Sequence, residues 1–375
     1  MFRPSTGQWT IRFSTPQPPA FITVGAAGDV PLALDLNGDR VDELCAFRPS
    51  TGAWQCHDRA TGLTSTVSLG QIGDIPAAQR PRLPSVTTTD FDGDNRADLT
   101  LFRPSTGTWF TRLSATGFTT ATELQWGLDG DRPVPGDYDG DHRADVAVWR
   151  PDTGMWYLRF SGTGFSTSRA EQWGLPGDVP VPADYDGDGR TDLAVFRPSG
   201  ALWYVRYSSS DYGRATVESF GVSSDVPVPG DYDGDGRADL TVFRPAHGQW
   251  FLKRSSGYYG GTVELNYGLP TDVPLALLDQ DGDGRADLGL YRPDDGRWFA
   301  KNTINDNPEP TVQWGLPGDL PVAADYDGDG ISDRAVFRPS NGTWYVRRFD
   351  GVAIQIQWGL PGDEPLIRID RRAGS

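Results

Sequence analysis

Seven short stretches of this chain carry carboxylates at alternate positions, and they are the residues most able to do chemistry. The fourth reads Asp184-Tyr-Asp186-Gly-Asp188-Gly-Arg190-Thr-Asp192. Hard divalent cations such as calcium take six to eight oxygens at flexible geometry, and such a spacing supplies them. Asp184, Asp186 and Asp188 would each give a carboxylate oxygen, Arg190 its backbone carbonyl, and Asp192 would close the set. Five other copies repeat the pattern: Asp90, Asp92, Asp94, Arg96 and Asp98; Asp137, Asp139, Asp141, Arg143 and Asp145; Asp231, Asp233, Asp235, Arg237 and Asp239; Asp279, Asp281, Asp283, Arg285 and Asp287; Asp325, Asp327, Asp329, Ile331 and Asp333. A degenerate copy, Asp35, Asn37, Asp39, Val41 and Glu43, is expected to bind weakly or not at all. Magnesium fits less well because it demands strict octahedral geometry, and a transition metal would want His or Cys. A solvated acidic turn is the plain alternative, and seven copies of one nine-residue pattern argue against it.

What must position these loops is a repeat. Their first aspartates recur with a period of about 47 residues, the mark of a solenoid or propeller. Each unit reads as four short strands. In the fourth they are Val179 to Ala183, Leu193 to Phe196, Trp203 to Tyr207 and Ala215 to Phe220, rich in β-branched and aromatic residues and separated by turn chemistry. No useful helical periodicity occurs. The expectation is an all-β protein, a β-propeller of four-stranded antiparallel blades over residues 1–375 as one domain. Alternating prolines place the first segment at a blade edge, because proline cannot donate to a ladder. A Phe-Arg-Pro…Gly-x-Trp turn and a Trp-Gly-Leu-Pro-Gly-Asp loop each occur eight times in some form. Eight blades follow, the eighth shared between the C-terminal segment Pro365 to Asp370 and three strands starting at Phe2. The alternative is seven blades with loose ends.

The acidic loop leading straight into a strand, within a propeller-length repeat, resembles the FG-GAP/VCBS repeats of integrin α-subunits and many bacterial extracellular proteins. It is also similar to calcium-stapled propeller lectins. The resemblance covers nearly the whole chain and implies calcium between the first and second strands of each blade. The chain departs from the family in its eight apparent blades and in keeping Phe-Gly only at Phe220-Gly221.

Other repeated residues have structural readings. An Arg in every turn (Arg3, Arg48, Arg103, Arg150, Arg197, Arg244, Arg292, Arg338) and an Asp in every inter-blade loop suggest a repeated Arg–carboxylate bridge; the alternative is a ring of anion-binding arginines. The turn tryptophans read as core rather than as sugar platforms. Candidate ligand contacts lie where the repeat varies: Arg80 and Arg82 in an insertion, and Phe118, Phe165, Tyr212, Tyr258 and Tyr259 in turns between third and fourth strands. Cys45 and Cys56 face each other across a hairpin, either as a disulfide or as a reduced packed pair. A disulfide would imply an oxidising compartment.

The formal charge of −17 argues against nucleic acid, and seven divalent cations would neutralise most of it. No apolar run is long enough to span a membrane. The N-terminus lacks the apolar core of a signal peptide, so the expectation is a mature form or a cut-out domain of a secreted or surface protein. The three histidines, His57, His142 and His247, share no repeated role, and no nucleophile or phosphate motif is present. The functional expectation is a non-enzymatic calcium-binding propeller whose partner is carbohydrate or an extracellular protein. The alternatives are a display module and a polysaccharide lyase.

Overall fold

The computed structural model describes residues 2–3, 8–11, 20–26, 29–34, 43–48, 51, 53–58, 61–68, 89–276, 279–303, 308 and 310–366. The chain divides into two compact units, Met1–Arg82 and Leu83–Ser375. Among the described residues there is no α-helix; strands are joined by turns and four single-turn 3₁₀ segments. Eight antiparallel sheets form, seven of four strands and one of three, matching one sheet to each repeat. The expectation of an all-β propeller of four-stranded blades holds.

The fourth repeat shows why these residues become a blade. Leu193–Arg197 is buried along its length except at Arg197, as a strand covered on both faces must be. Leu202–Arg206 alternates between buried and half-buried, and Ala215–Ser219 between exposed and half-buried, as an outer strand should. The edge segment pairs through Val179–Pro180, the Val181 N–H and an isolated bridge at Ala183, and because it is an edge its prolines cost no ladder bond from a central strand. Phe196 sits opposite Trp203, with ring centroids 5.4 Å apart. Each blade buries its face against the next: Phe196, Trp203 and Val205 pack with Ala238, Leu240 and Val242.

In the unit Leu83–Ser375 six such blades close on themselves. Ala97, Leu99 and Leu101 of its first blade pack with Val322, Phe337 and Trp344 of its last. The seal differs from the expectation. The C-terminal segment was expected beside the strands beginning at Phe2. Instead Glu364–Pro365 pairs with Leu99–Arg103, Glu364 opposite Phe102 and Pro365 opposite Leu101. The physical reason is the clamp that each blade requires. Arg103 has its carboxylate partner in Asp363, at 2.7 and 2.8 Å, and Leu366 N–H donates to the Thr100 carbonyl. Trp358 lies in this unit with its ring 6.4 Å from Phe110.

In the unit Met1–Arg82, Phe2–Arg3, Gln8–Ile11 and Ala20–Thr23 form the three-stranded sheet. Val30–Leu34, Glu43–Arg48, Ala53–His57 and Thr64–Ser68 form a four-stranded one. Cys45 pairs opposite Cys56 with Cα atoms 4.1 Å apart, and the two are joined as a disulfide.

Candidate metal centres

In five blades the acidic loop connects the first strand to the second, and the Asp90 loop leads into Leu99–Arg103, whose edge partner is Glu364–Pro365; the aspartates first build the loop itself. In the fourth, Asp184 accepts the Gly187 N–H on one oxygen (2.6 Å) and the Gly189 N–H on the other (2.8 Å). Gly189 has φ +83°, a left-handed conformation that glycine adopts freely; Asn95 and His142 take the same position with φ 62° and 65°. Asp192 accepts the Tyr185 N–H (2.9 Å) and the Ser208 N–H (2.7 Å). Asp188 turns to the Arg190 guanidinium (2.9 Å) and the Ser208 hydroxyl (2.9 Å).

What remains is a knot of carboxylate oxygens. Asp184, Asp186 and Asp192 offer oxygens within 4.8 Å of one another, as do Asp90, Asp92 and Asp94; Asp137, Asp139 and Asp145; Asp231, Asp233 and Asp239; and Asp279, Asp281 and Asp287. The Asp325 loop has the same internal bonds, with Gly328 and Gly330 donating to Asp325 and Tyr326 to Asp333. Burial pushes the carboxyls of Asp98, Asp145, Asp192, Asp239, Asp287 and Asp333 up to about 7. Asp184 is pushed up to about 6 for the same reason. One oxygen each of Asp186, Asp233 and Asp287 is buried with no hydrogen-bond partner. An unpaired buried carboxylate oxygen is costly, and a cation among these triads is the partner the chemistry lacks. The donor set is all oxygen, which fits a hard divalent ion.

The loops are also tied to one another. Ala144 N–H donates to the Asp90 carbonyl, Thr191 to Asp137, Ala238 to Asp184, Ala286 to Asp231, Ser332 to Asp279 and Ala97 to Asp325, all at 2.6 to 2.7 Å. That chain of six bonds returns to its start. The loop arginines, expected to contribute only a carbonyl, reach backward as well. The Arg143 side chain lies over Gly93, where a Cβ would come within 3.1 Å, and its guanidinium donates to the Phe91 carbonyl. Arg96, Arg190, Arg237 and Arg285 lie likewise over Gly328, Gly140, Gly187 and Gly234.

Sequence reasoning missed the serines. Ser114, Ser161, Ser208 and Ser255 stand 16 residues after the closing aspartate, and each donates its N–H to that carboxylate. That fixed offset was the available signal. Thr303 and Phe349 occupy the position in the last two blades; Phe349 N–H donates to Asp333, while Asn302, one residue before Thr303, donates its side-chain amide to Asp281.

Asp35, Asn37, Asp39, Val41, Arg80 and Arg82 lie outside the described residues, as does the Glu43 side chain. The turn aromatics mostly fold inward. Phe118 and Tyr212 are buried, Phe165 packs on Trp109 and its neighbours, and Tyr259 donates its hydroxyl to the Ala238 carbonyl. Tyr258 alone points out, 80 % exposed.

At the opposite end of the strand, the expected Arg–carboxylate bridge is present in the seven blades whose clamp side chains are described. Arg197 donates to both oxygens of Asp178 at 2.7 and 2.9 Å and stacks 4.3 Å above the Tyr204 ring. Arg48, Arg103, Arg150, Arg244, Arg292 and Arg338 bind Asp29, Asp363, Asp131, Asp225, Asp272 and Asp319 in the same two-pronged way. The turn tryptophans are core: Trp203 is fully buried and donates to the Phe220 carbonyl.

Fold and loops together define a β-propeller with an acidic, cation-ready loop in blade after blade. Residues 90–148, 137–195 and 184–242 match the model of the FG-GAP-like repeat, so this stretch of the propeller carries FG-GAP-like repeats. No curated protein matches the chain. Similar solved structures include AztD from Citrobacter koseri, 11 % identical over 85 % of this chain and 95 % of that one, with a TM-score of 0.42. They also include an Agrocybe aegerita lectin that recognises non-reducing terminal N-acetylglucosamine (17 % identity, 68 % and 74 % coverage, TM-score 0.47). A third is virginiamycin B lyase from Staphylococcus aureus (9 %, 88 % and 85 %, 0.37). Likeness at this level carries no argument about function. No helix among the described residues is long and apolar enough to cross a membrane.

Proposed function

We propose that this chain is a non-enzymatic propeller stapled by calcium, which presents its rim to carbohydrate or another extracellular macromolecule. The observation that carries the metal reading is the set of buried, unpartnered oxygens on Asp186, Asp233 and Asp287. Calcium is then structural, and its binding energy adds to folding energy. Six strong sites are expected, from the copies starting at Asp90, Asp137, Asp184, Asp231, Asp279 and Asp325, with the Asp35 copy degenerate. The disulfide between Cys45 and Cys56 supports a secreted or surface location. The excess of acidic residues disfavours nucleic acid as partner.

The test of the metal is a pair of thermal melts, with calcium and with EDTA. Saturating six sites a hundredfold above Kd contributes about 2.7 kcal/mol per site, so EDTA should lower Tm by more than about 10 °C. A Tm indifferent to chelator would overturn the calcium reading. The test of the partner is a glycan array probed with calcium-loaded protein and again after chelation. Binding to a defined glycan family that disappears with EDTA supports the reading. A blank array from folded, calcium-replete protein would move the partner to a protein.

A further inference from the structure

The turn Gly257-Tyr258-Tyr259-Gly260-Gly261 differs from its sisters in a way that stability does not explain. Three other blades make the same turn, each starting from a serine bonded to the acidic loop. In all four, two consecutive residues take a left-handed conformation: an inward aromatic, and before it Gly117 (φ 62°), Gly164 (φ 62°), Asp211 (φ 52°) or Tyr258 (φ 51°). Glycine takes this conformation at no steric cost. Asp211 pairs with Arg169 of the preceding blade. Tyr258 takes it with a bulky side chain and makes no side-chain hydrogen bond or ring contact among the described residues. Tyr259, next in sequence, takes the inward place that Phe118, Phe165 and Tyr212 hold in the other blades. The outward ring is therefore an addition to the turn, and not a replacement for its packing residue.

The surroundings keep that ring accessible. Gly257, Gly260 and Gly261 add no side chains beside it, and a Cβ at Gly261 would meet nothing within 4 Å. The turn is anchored from below, because Ser255 N–H donates to Asp239 and the Ser256 hydroxyl donates to Asp233, both residues of the acidic loop. A flat apolar face with a hydroxyl at its tip, on an anchored turn and flanked by small residues, suits a pyranose ring: C–H groups against the aromatic face, hydroxyls at the rim.

We propose that Tyr258 is the stacking residue of a saccharide-binding site on this turn. The proposal rests on the carbohydrate reading above and assigns it a place. The experiment compares wild type, Tyr258→Gly and Tyr258→Phe on one glycan array in calcium, with Tm measured on the same samples. Tyr258→Gly should raise Tm, since it relieves the left-handed tyrosine, and should weaken binding about tenfold or more. Tyr258→Phe should keep most of the binding. If wild type binds glycans and Tyr258→Gly binds them equally, the site is elsewhere, while the carbohydrate reading stands. If Tyr258→Gly lowers Tm, the ring is structural and the proposal is wrong. If folded wild type binds no glycan, both fail together.

Discussion

The Arg197 guanidinium holds the Asp178 carboxylate at two points, and the side chain of Asp178 is 1 % exposed. Removing one partner of such a pair leaves a buried charge unanswered. Arg197→Met should therefore cost about 3 kcal/mol in a urea melt. Arg197→Lys should recover little, because a lysine cannot donate in a fork while stacking on Tyr204. An equal effect from both substitutions is expected, and a neutral result would mean the clamp is ornamental. On the other rim, Ser208→Ala deletes the hydroxyl that steadies Asp188. About 1 kcal/mol of stability should go with it, alongside weaker calcium binding at that loop by calorimetry.

The acidic loops behave as elements when pH changes. Their buried carboxyls, raised to about 7 in the folded protein without metal, titrate near 4 when unfolded. A raised carboxyl favours folding while protonated, so this contribution is present below about pH 4 and is lost as pH rises through 7. Chelated protein should thus lose stability from pH 4 to 7, and the stabilisation produced by added calcium should grow over the same interval. Melting curves at several pH values in EDTA and in calcium check the sign. The loops and strands were legible in the sequence because glycine, proline and alternating aromatics leave few alternatives at each position. The Leu193–Arg197 and Leu202–Arg206 strands fell within a residue or two of their expected limits. What Ser208 touches was not legible, since its partner Asp192 lies in another loop and only the folded blade joins them. Tyr258 and Tyr259 were indistinguishable as neighbours in the sequence. Which of the two turns outward is decided by the packing of the adjacent blade.

Across the unit Leu83–Ser375, the six backbone bonds from loop to loop make each cation site part of its neighbours' support. Ordering one loop fixes the carbonyl on which the next depends, so calcium uptake should be steeper than for independent sites. A titration followed by calorimetry should give a Hill coefficient above 1. Asp233→Asn should weaken binding at more than its own loop, and a strictly local effect would show the sites to be uncoupled. The seal of this unit carries a separate consequence. Arg103 waits for Asp363, a partner 260 residues later in the chain. Every other described clamp joins residues 19 or 20 apart and can form as soon as its own blade does. On a ribosome, five blades can assemble in order while the Leu99–Arg103 strand keeps an open edge, the kind of surface that invites pairing with another chain. Its protection arrives only once Asp363 and Glu364–Pro365 have been synthesised, so until then the nascent protein carries an edge prone to aggregation.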